Sequence, residues 1–413
     1  MKRKKNNYKI CIIGQGFVGF DLAMTFIKKY PVIGYDKKNK VVNLIKEKIK
    51  KNEKIVAEKK DYHITNNTKE IIDVNVYIVT VDTPVDDKKN PNYKNLIDAT
   101  HLVAKRISKG NIIIFESTVY PGLTEEICIP ILENESKLAL NKDFYVGYSP
   151  ERVNEGLKSK NSNEIVKVTS GSNKKSSQII DSLYRSVIDA GTCNVSSIKI
   201  AEATKLLENC QRDVNIALMN EYYKLMRGLN IDMREILEAA KTKWNFSNYF
   251  PGLVGGNCIP VDPYYLIYKA KKNNLEVPLI ELARNLNEDM LSFVYKTIIK
   301  KIKSKCIKCP RILFVGITYK EESKDYKSSL YYKLAKKLSE KYNISIADSC
   351  LKSIGTNIIF IKNNEIKFSL YNVIIIGTPH QSIKKINIEK KICKKSLIID
   401  ISGNVTNDSY TIF

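Results

Sequence analysis

Short apolar runs separated by amphipathic stretches organise this chain from end to end. Residues 8–13 read Tyr-Lys-Ile-Cys-Ile-Ile, enough for one strand, and Gly14 closes the run. A helical stretch continues to Lys29, and Val32-Ile-Gly-Tyr35 forms a second apolar run that stops at Asp36. A lysine-rich helix pair over 40–60 leads to a strand over 74–81. A helix near 95–108 and strands over 111–115, 144–148, 165–169 and 192–195 complete the first block. Strands that alternate with helices in this way build parallel sheets.

The pattern then changes. From Ser196 to Leu229 there is no proline, and the single glycine is Gly228. One long helix is predicted. Ala203, Leu207, Cys210, Val214, Ala217 and Met226 give it an apolar stripe. Glu202, Lys205, Asn209 and Arg212 lie on another face, for which a solvated surface is the simplest reading. Helices over 231–241, 264–272 and 278–304 follow. The strand–helix alternation restarts at Arg311-Ile-Leu-Phe-Val315. A polar loop, a helix over 329–341 and strands over 344–347, 358–361, 373–376 and 397–399 are expected there. The fold class is α/β: two Rossmann-like doubly wound domains joined by a long central helix. The expected boundaries are 1–195 for a dinucleotide-binding domain, 196–304 for a helical segment and 305–413 for a second Rossmann-like domain.

Two stretches carry chemistry. Gly14-Gln-Gly-Phe-Val-Gly19 follows the first strand and opens a helix, and Asp36 closes the second strand about twenty residues on. Glycines allow a tight turn and close approach to a pyrophosphate, the helix N-terminus favours its charge, and the acid suits the ribose of NAD. The next two strands end in Thr83-Pro84 and Glu116-Ser-Thr118, at the edge where open α/β sheets hold ligands. Turn capping is the plainer role for both threonines.

The second stretch is Tyr249-Phe-Pro-Gly-Leu-Val-Gly-Gly-Asn-Cys-Ile-Pro-Val-Asp262. Gly252, Gly255 and Gly256 let the backbone approach a ligand, and Pro251 and Pro260 stiffen the loop around Cys258. A thiol so held is a candidate nucleophile. Lys205 could supply a cation, with Asn209 one turn along, while Asp262 and Glu151 are candidates for handling water. A thiol beside an NAD site suggests oxidation through a hemithioacetal and a thioester.

Composition narrows the alternatives. With 43% hydrophobic and 27% charged residues over 413 positions, the chain is globular and long enough for two or three domains. The net charge of +24 comes from scattered lysines rather than one basic face, so no nucleic-acid partner is expected. The basic N-terminus and Ile10–Ile13 imitate a signal peptide, but Gly14, Gln15, Gly16 and Asp21 interrupt the run. No run reaches membrane-span length. Nine cysteines with three histidines give neither a disulfide framework nor a metal centre. Cys306-Ile-Lys-Cys309 has no second ligand pair near it. A reducing, cytoplasmic setting is expected.

Together these motifs resemble the nucleotide-sugar 6-dehydrogenase family, which comprises UDP-glucose and UDP-N-acetylhexosamine dehydrogenases. The likeness runs from about residue 8 to about residue 403. It rests on Gly14–Gly19, Thr83-Pro84, Glu116–Thr118, Tyr148-Ser-Pro-Glu-Arg152, Ala201–Asn209, Gly255–Leu266 and Gly316-Ile-Thr-Tyr-Lys320. Tyr148–Arg152, Pro251–Leu266, Lys243–Phe246 and Glu208–Asp213 look closest to the N-acetylhexosamine branch.

The resemblance implies oxidation of a sugar C6 alcohol to a carboxylate by two NAD⁺. It implies Cys258 as nucleophile, Lys205 on the oxyanion, Asn209 and Asp262 positioning sugar and water, Thr118 aiding proton removal, and Glu151 serving thioester hydrolysis. NAD contacts are implied for Gly14, Gly16, Phe17, Val18, Gly19, Asp36, Thr83, Pro84, Thr118, Glu155 and Lys327. UDP-sugar contacts are implied for Glu151, Lys205, Asn209, Tyr249, Phe250, Gly252, Gly255, Tyr319 and Lys320. A homodimer or larger homo-oligomer formed through the central helix is also implied.

Four positions depart from the branch pattern. Asn257 stands where histidine is usual, Lys327 where arginine is usual, and Asp82 where proline is frequent. Glu155 fits the UDP-glucose branch. UDP-glucose oxidation and non-catalytic binding of a UDP-sugar or NAD therefore stand as alternatives.

Overall fold

A computed structural model describes residues 8–51, 62–153, 162–355, 358–386, 388–393, 396–403 and 410–413. The chain divides into two compact units. One is built from Met1–Asn154, Ser159–Glu208 and Tyr264–Glu276, the other mainly from Asn209–Pro263 and Val277–Phe413.

The first unit holds six parallel strands: β1 Ile10–Ile13, β2 Val32–Tyr35, β3 Tyr62–Thr65, β4 Val76–Val79, β5 Ile112–Phe115 and β6 Tyr145–Tyr148. Their order is β3-β2-β1-β4-β5-β6. Ile10 lies between Val32 and Val76, which sets the register at the centre of the sheet. Every residue of β1, β2, β4, β5 and β6 is buried. Helices cover both faces of such a sheet, which is why these strands read as continuous apolar runs rather than alternating ones. Leu22 and Phe26, from the helix Phe17–Phe26, pack with Ile10, Ile12, Val76 and Ile78.

Two expectations change here. The helix after β2 spans Asn39–Lys51, and the rest of the expected 40–60 helix pair lies outside the described residues. The edge strand β3 was not predicted. Also, β7 Lys167–Thr169 and β8 Thr192–Asn194 pair only with each other, in a separate two-stranded parallel sheet.

The long helix spans Ile198–Gly228. Its polar stripe is not solvated: Glu202, Lys205, Asn209, Asp213 and Asn220 are all buried. Arg212 is exposed and does not belong to that stripe. Leu207 is not core either, being 68% exposed. The correction is physical. Buried polar groups need partners, and this helix supplies them to loops.

The second unit repeats the sheet plan with β9 Arg311–Val315, β10 Asn343–Ala347, β11 Ile359–Ile361, β12 Val373–Ile376, β13 Leu397–Asp400 and β14 Tyr410–Thr411. The order is β11-β10-β9-β12-β13-β14, again parallel throughout. Ile312, Phe314, Ile346, Ile375 and Ile399 fill its core, together with Met290, Val294 and Ile298 from the helix Pro278–Ser304.

Candidate active site

In the first unit, β1 runs into Gly14, whose φ of +94° suits glycine. The Gln15 amide donates to Asp36 Oδ2 at 2.9 Å, and the Lys38 amide donates to Oδ1 of the same carboxylate at 2.8 Å. Asp36 thus fixes the turn that the fingerprint needs. Gln15 is buried, accepts from the Tyr62 hydroxyl at 2.8 Å and donates to Ile12 O at 3.1 Å. A Cβ on Gly19 would stand 1.9 Å from Gly14 O, so the helix packs against the turn only with glycine there. A Cβ on Gly16 would meet nothing within 4 Å, which leaves that backbone open to a ligand. Phe17 is 55% exposed beside it, and Val18 is partly buried.

The C-terminal ends of β4 and β5 are tied together. Thr83 Oγ1 donates to Thr118 O at 2.7 Å, Ser117 Oγ donates to Val81 O at 2.7 Å, and the Tyr265 hydroxyl donates to Thr83 O. Pro84 is exposed next to them. Deeper, Glu116 is buried and accepts from Lys167 Nζ at 2.6 Å and from the Tyr184 hydroxyl. Burial pushes its carboxyl up, and the Lys167 ammonium opposes this.

Lys205 Nζ donates to Glu151 O at 2.5 Å, so two of the expected catalytic residues are in contact. The Glu151 carboxylate accepts from the Val153 amide. One residue on, Arg152 pairs with Glu208 at 2.7 Å and donates to Val166 O. One turn before Lys205, Glu202 accepts from the Gly122 amide at 2.5 Å and the Thr124 amide at 3.1 Å. Burial raises its carboxyl to about 7 against the pull of the Gly122 amide.

In the second unit, Asn209 Nδ2 donates to Asp262 Oδ2 at 2.5 Å, both side chains being buried. Asp262 opens the helix Asp262–Lys272, and its amide donates to Cys258 O at 2.8 Å. Cys258 itself is exposed. By contrast, burial pushes the Cys210 thiol up to about 12. Cys210 therefore does not compete as a nucleophile.

The loop that carries Cys258 is held from both sides. Asn220 accepts from the Gly252 amide at 2.8 Å and donates to Gly252 O at 3.1 Å and to Asn287 Oδ1 at 2.8 Å. Asn287 donates to Asp213 Oδ1 at 2.8 Å, and Asp213 faces Arg284 Nε at 2.9 Å, all of them buried. Burial raises Asp213 to about 6, with the Arg284 guanidinium opposing. Further along, Gly256 donates its amide to Ser328 O at 3.2 Å, and a Cβ on it would press on the Tyr319 ring at 2.9 Å. Asn257 Nδ2 donates to Asp325 Oδ2 at 3.0 Å. The glycines at 255 and 256 thus let this loop lie on the 319–328 loop. Tyr319 and Lys320 are partly buried, and Lys327 and Phe250 are exposed. Tyr249 is partly buried, and Gly252 is open around its Cα. Glu155 lies outside the described residues.

Residues 8–188 match the NAD binding domain of the UDP-glucose/GDP-mannose dehydrogenase family, 199–289 its central domain and 313–407 its UDP binding domain. The chain belongs to that family. It is 39% identical over 395 residues to UDP-N-acetyl-D-glucosamine 6-dehydrogenase of Pseudomonas aeruginosa, covering 92% of each chain. It is 36% identical to Protein CapL of Staphylococcus aureus, with 98% of each chain covered. Among solved structures, the UDP-D-ManNAc dehydrogenase of Pyrococcus horikoshii superposes with a TM-score of 0.84 at 27% identity, covering 97% of each chain.

As a UDP-glucose/GDP-mannose dehydrogenase family member, the chain is an NAD-dependent UDP-sugar oxidoreductase. The first unit fits the cofactor: the Gly14–Gly19 turn is glycine-bound, open at Gly16 and tied to the Asp36 carboxylate. Among the described residues, no helix is long and apolar enough to cross a membrane.

Sequence reasoning missed Gln15, Asp213, Asn220, Asn287, Asp325 and Ser328. One signal was present. Glu202, Lys205, Asn209, Asp213 and Asn220 recur at spacings of three, four, four and seven, a single helical face. Five polar residues on one such face call for buried partners as readily as for solvent.

Proposed function

We propose that this chain oxidises the C6 hydroxymethyl of a UDP-N-acetylhexosamine, UDP-GlcNAc or UDP-GalNAc, to the uronic acid, with Cys258 as covalent nucleophile. The observation that carries this reading is the identity of 39% and 40%, over 92% of the chain, to two proteins named UDP-N-acetyl-D-glucosamine 6-dehydrogenase. The exposed thiol in a loop braced by Asn220 and Asn257 supports the covalent step.

In the reaction, NAD⁺ bound at Gly14–Gly19 and Asp36 supplies the hydride acceptor for each of two oxidations. Cys258 sulfur adds to the C6 aldehyde carbon. The resulting thiohemiacetal is oxidised to a thioester, and water releases the carboxylate and the thiol. Lys205 provides the positive charge for the C6 oxyanion; its anchor on Glu151 O fixes where that charge sits. Asn209 holds Asp262, so the carboxylate and the amide are oriented together to position sugar and water. Thr118 assists proton removal from the alcohol, and Glu151 serves hydrolysis. Tyr249, Phe250, Gly252, Gly255, Tyr319 and Lys320 contact the UDP-sugar, and Lys327 contributes a charge toward phosphate.

The test is a panel of UDP-GlcNAc, UDP-GalNAc, UDP-ManNAc and UDP-glucose with NADH absorbance as readout. Two NADH per sugar are expected from an N-acetylated substrate, and Cys258→Ala is expected to abolish turnover. Turnover of UDP-glucose alone overturns the choice of sugar. Binding of every nucleotide sugar with no NADH from any of them overturns catalysis.

The enzyme is further expected to be a homodimer in the cytoplasm. Leu207, Leu218, Leu225 and Leu229 are each more than half exposed along or just past the long helix, at spacings of eleven, seven and four. Such a stripe suits a second copy of the same helix. Light scattering that reads a single chain mass at micromolar concentration removes this part of the proposal.

A further inference from the structure

Away from the cysteine loop, three loops at the C-terminal edge of the second sheet bring a thiol, an imidazole and a carboxylate together. Cys350 lies just after β10, His380 just after β12, and Glu322 in the loop after β9. Cys350 Sγ is 3.5 Å from His380 Nδ1 and 3.7 Å from Glu322 Oε2, and His380 Nδ1 is 3.8 Å from Glu322 Oε1. We propose that Glu322, Cys350 and His380 form a binding site for a divalent transition-metal cation of the zinc class.

The geometry is that of a ligand set. Zinc bonds of about 2.3 Å to sulfur and about 2.0–2.1 Å to nitrogen or oxygen, opened to a tetrahedral angle, put donor atoms roughly 3.3–3.6 Å apart. All three donors lie within 4.8 Å of one another. The ring is also oriented for the task. Nδ1 accepts from the Glu322 amide at 3.1 Å, so the ring proton sits on Nε2, which faces Asp348 Oδ2 at 3.2 Å and Thr318 Oγ1 at 3.1 Å. A carboxylate behind the far nitrogen of a ligating histidine fixes its tautomer and raises its basicity. Asp348 is itself held by the Ile317 amide at 2.8 Å and the Cys350 amide at 2.9 Å. An ion would take the Nδ1 lone pair from the Glu322 amide.

Thiolate and imidazole together select zinc-class ions over magnesium or calcium. Three protein ligands leave a fourth position for water or an anionic oxygen. His380 is buried, but Glu322 is exposed and Cys350 half-buried, so the site opens to solvent. Cysteine ligates as its thiolate, so metal binding releases the thiol proton. These ligands stand 28 and 30 residues apart, so no short motif in the sequence announces them, and no metal was expected from its nine cysteines and three histidines. Glu322 shares its loop with Lys320 and Lys327, so an ion there pins that loop to the ends of β10 and β12.

The experiment titrates cobalt(II), as a zinc stand-in, into the full chain after chelator dialysis. One equivalent is expected to produce a thiolate-to-cobalt charge-transfer band, and zinc is expected to displace it. Cys350→Ser is expected to abolish the band. Glu322→Gln, an exposed substitution, is expected to weaken binding at least tenfold, the lower end of what even outer-shell changes cost. The Cys306→Ser/Cys309→Ser double variant is expected to keep the band. No band in the wild type, a band that survives Cys350→Ser, or a band lost in the double variant each overturns the site.

Discussion

The two parallel sheets start alike and part after three residues. In the first, the Gly14 amide donates to Tyr35 O at 2.8 Å and the Gln15 amide to Asp36 Oδ2 at 2.9 Å. In the second, the Gly316 amide donates to Ala347 O at 2.8 Å and the Ile317 amide to Asp348 Oδ2 at 2.8 Å. Both glycines have positive φ, +94° and +77°. After Gly14 the helix begins at Phe17, so its N-terminus is what the turn offers a ligand. After Gly316 a long polar loop intervenes, and the helix begins only at Leu330, capped by Ser329. That loop offers side chains instead: Tyr319, Lys320, Glu322, Asp325 and Lys327. One scaffold thus yields an open backbone turn in the NAD binding domain and a side-chain surface in the UDP binding domain. The difference lies in the length of one connection.

The strongest way to break that comparison is to spoil one turn and leave the other. Gly19→Ala puts a Cβ 1.9 Å from Gly14 O and 2.5 Å from Thr80 Oγ1. Gly316→Ala puts one 2.1 Å from Thr378 O at a φ that L side chains avoid. Overpacking and backbone strain each cost roughly 1–3 kcal/mol. Gly19→Ala is expected to weaken NAD binding about a hundredfold or more while UDP binding, measured by calorimetry, is unchanged. Gly316→Ala is expected to do the reverse. Equal losses of both ligands in either variant show that the two turns are not independent.

A second test sharpens the role of the buried helix face. Glu202 titrates near 4.5 in an unfolded chain and near 7 here, burial being the main cause. A carboxyl raised by folding adds stability below its unfolded value and loses it as pH climbs to its folded value. The shift corresponds to on the order of 3 kcal/mol, lost between about pH 4.5 and pH 7. Glu202→Gln cannot ionise, and it keeps one acceptor oxygen for the Gly122 or the Thr124 amide. Denaturant unfolding from pH 5 to pH 8 is expected to show wild type losing stability relative to the variant. Parallel curves refute the assignment.

Sequence alone made the central strands legible because burial on both faces leaves an unbroken apolar run. The edges were not legible: β3 is Tyr-His-Ile-Thr and β14 is two residues, Tyr410 and Thr411, too short and too polar for any period. The same contrast holds at the cysteine loop. Gly255, Gly256 and Pro260 announce it locally, and Lys205, Asn209 and Asp262 sit at readable distances from one another or from Cys258. The residues that brace it do not. Asn220 reaches Gly252 across 32 positions, Asn287 reaches Asp213 across 74, and Asn257 reaches Asp325 across 68. Hydrogen bonds over such separations follow from tertiary packing and leave no periodic trace.

The smallest expected effect concerns that last brace, made by the asparagine that precedes Cys258. Asn257 donates to a carboxylate that also accepts from the Ser328 hydroxyl at 2.5 Å and the Ser328 amide at 3.2 Å. Asp325 therefore keeps its other donors if Asn257 is removed, and no buried acceptor is stranded. The glycine contact with Tyr319 and the Gly256 bond to Ser328 O also persist. Asn257→Ala should then cost only the orientation of one exposed segment, the one that ends in Cys258. The expected outcome is a fall in kcat of about threefold to tenfold, a KM for UDP-sugar within about twofold, and an unchanged melting temperature. Asn257→His, which restores a donor to Asp325, is expected to recover most of the loss. A kcat for Asn257→Ala equal to wild type shows that the loop is positioned by Gly256 and Tyr319 alone, and that the 319–328 loop supports the thiol through packing rather than through charge.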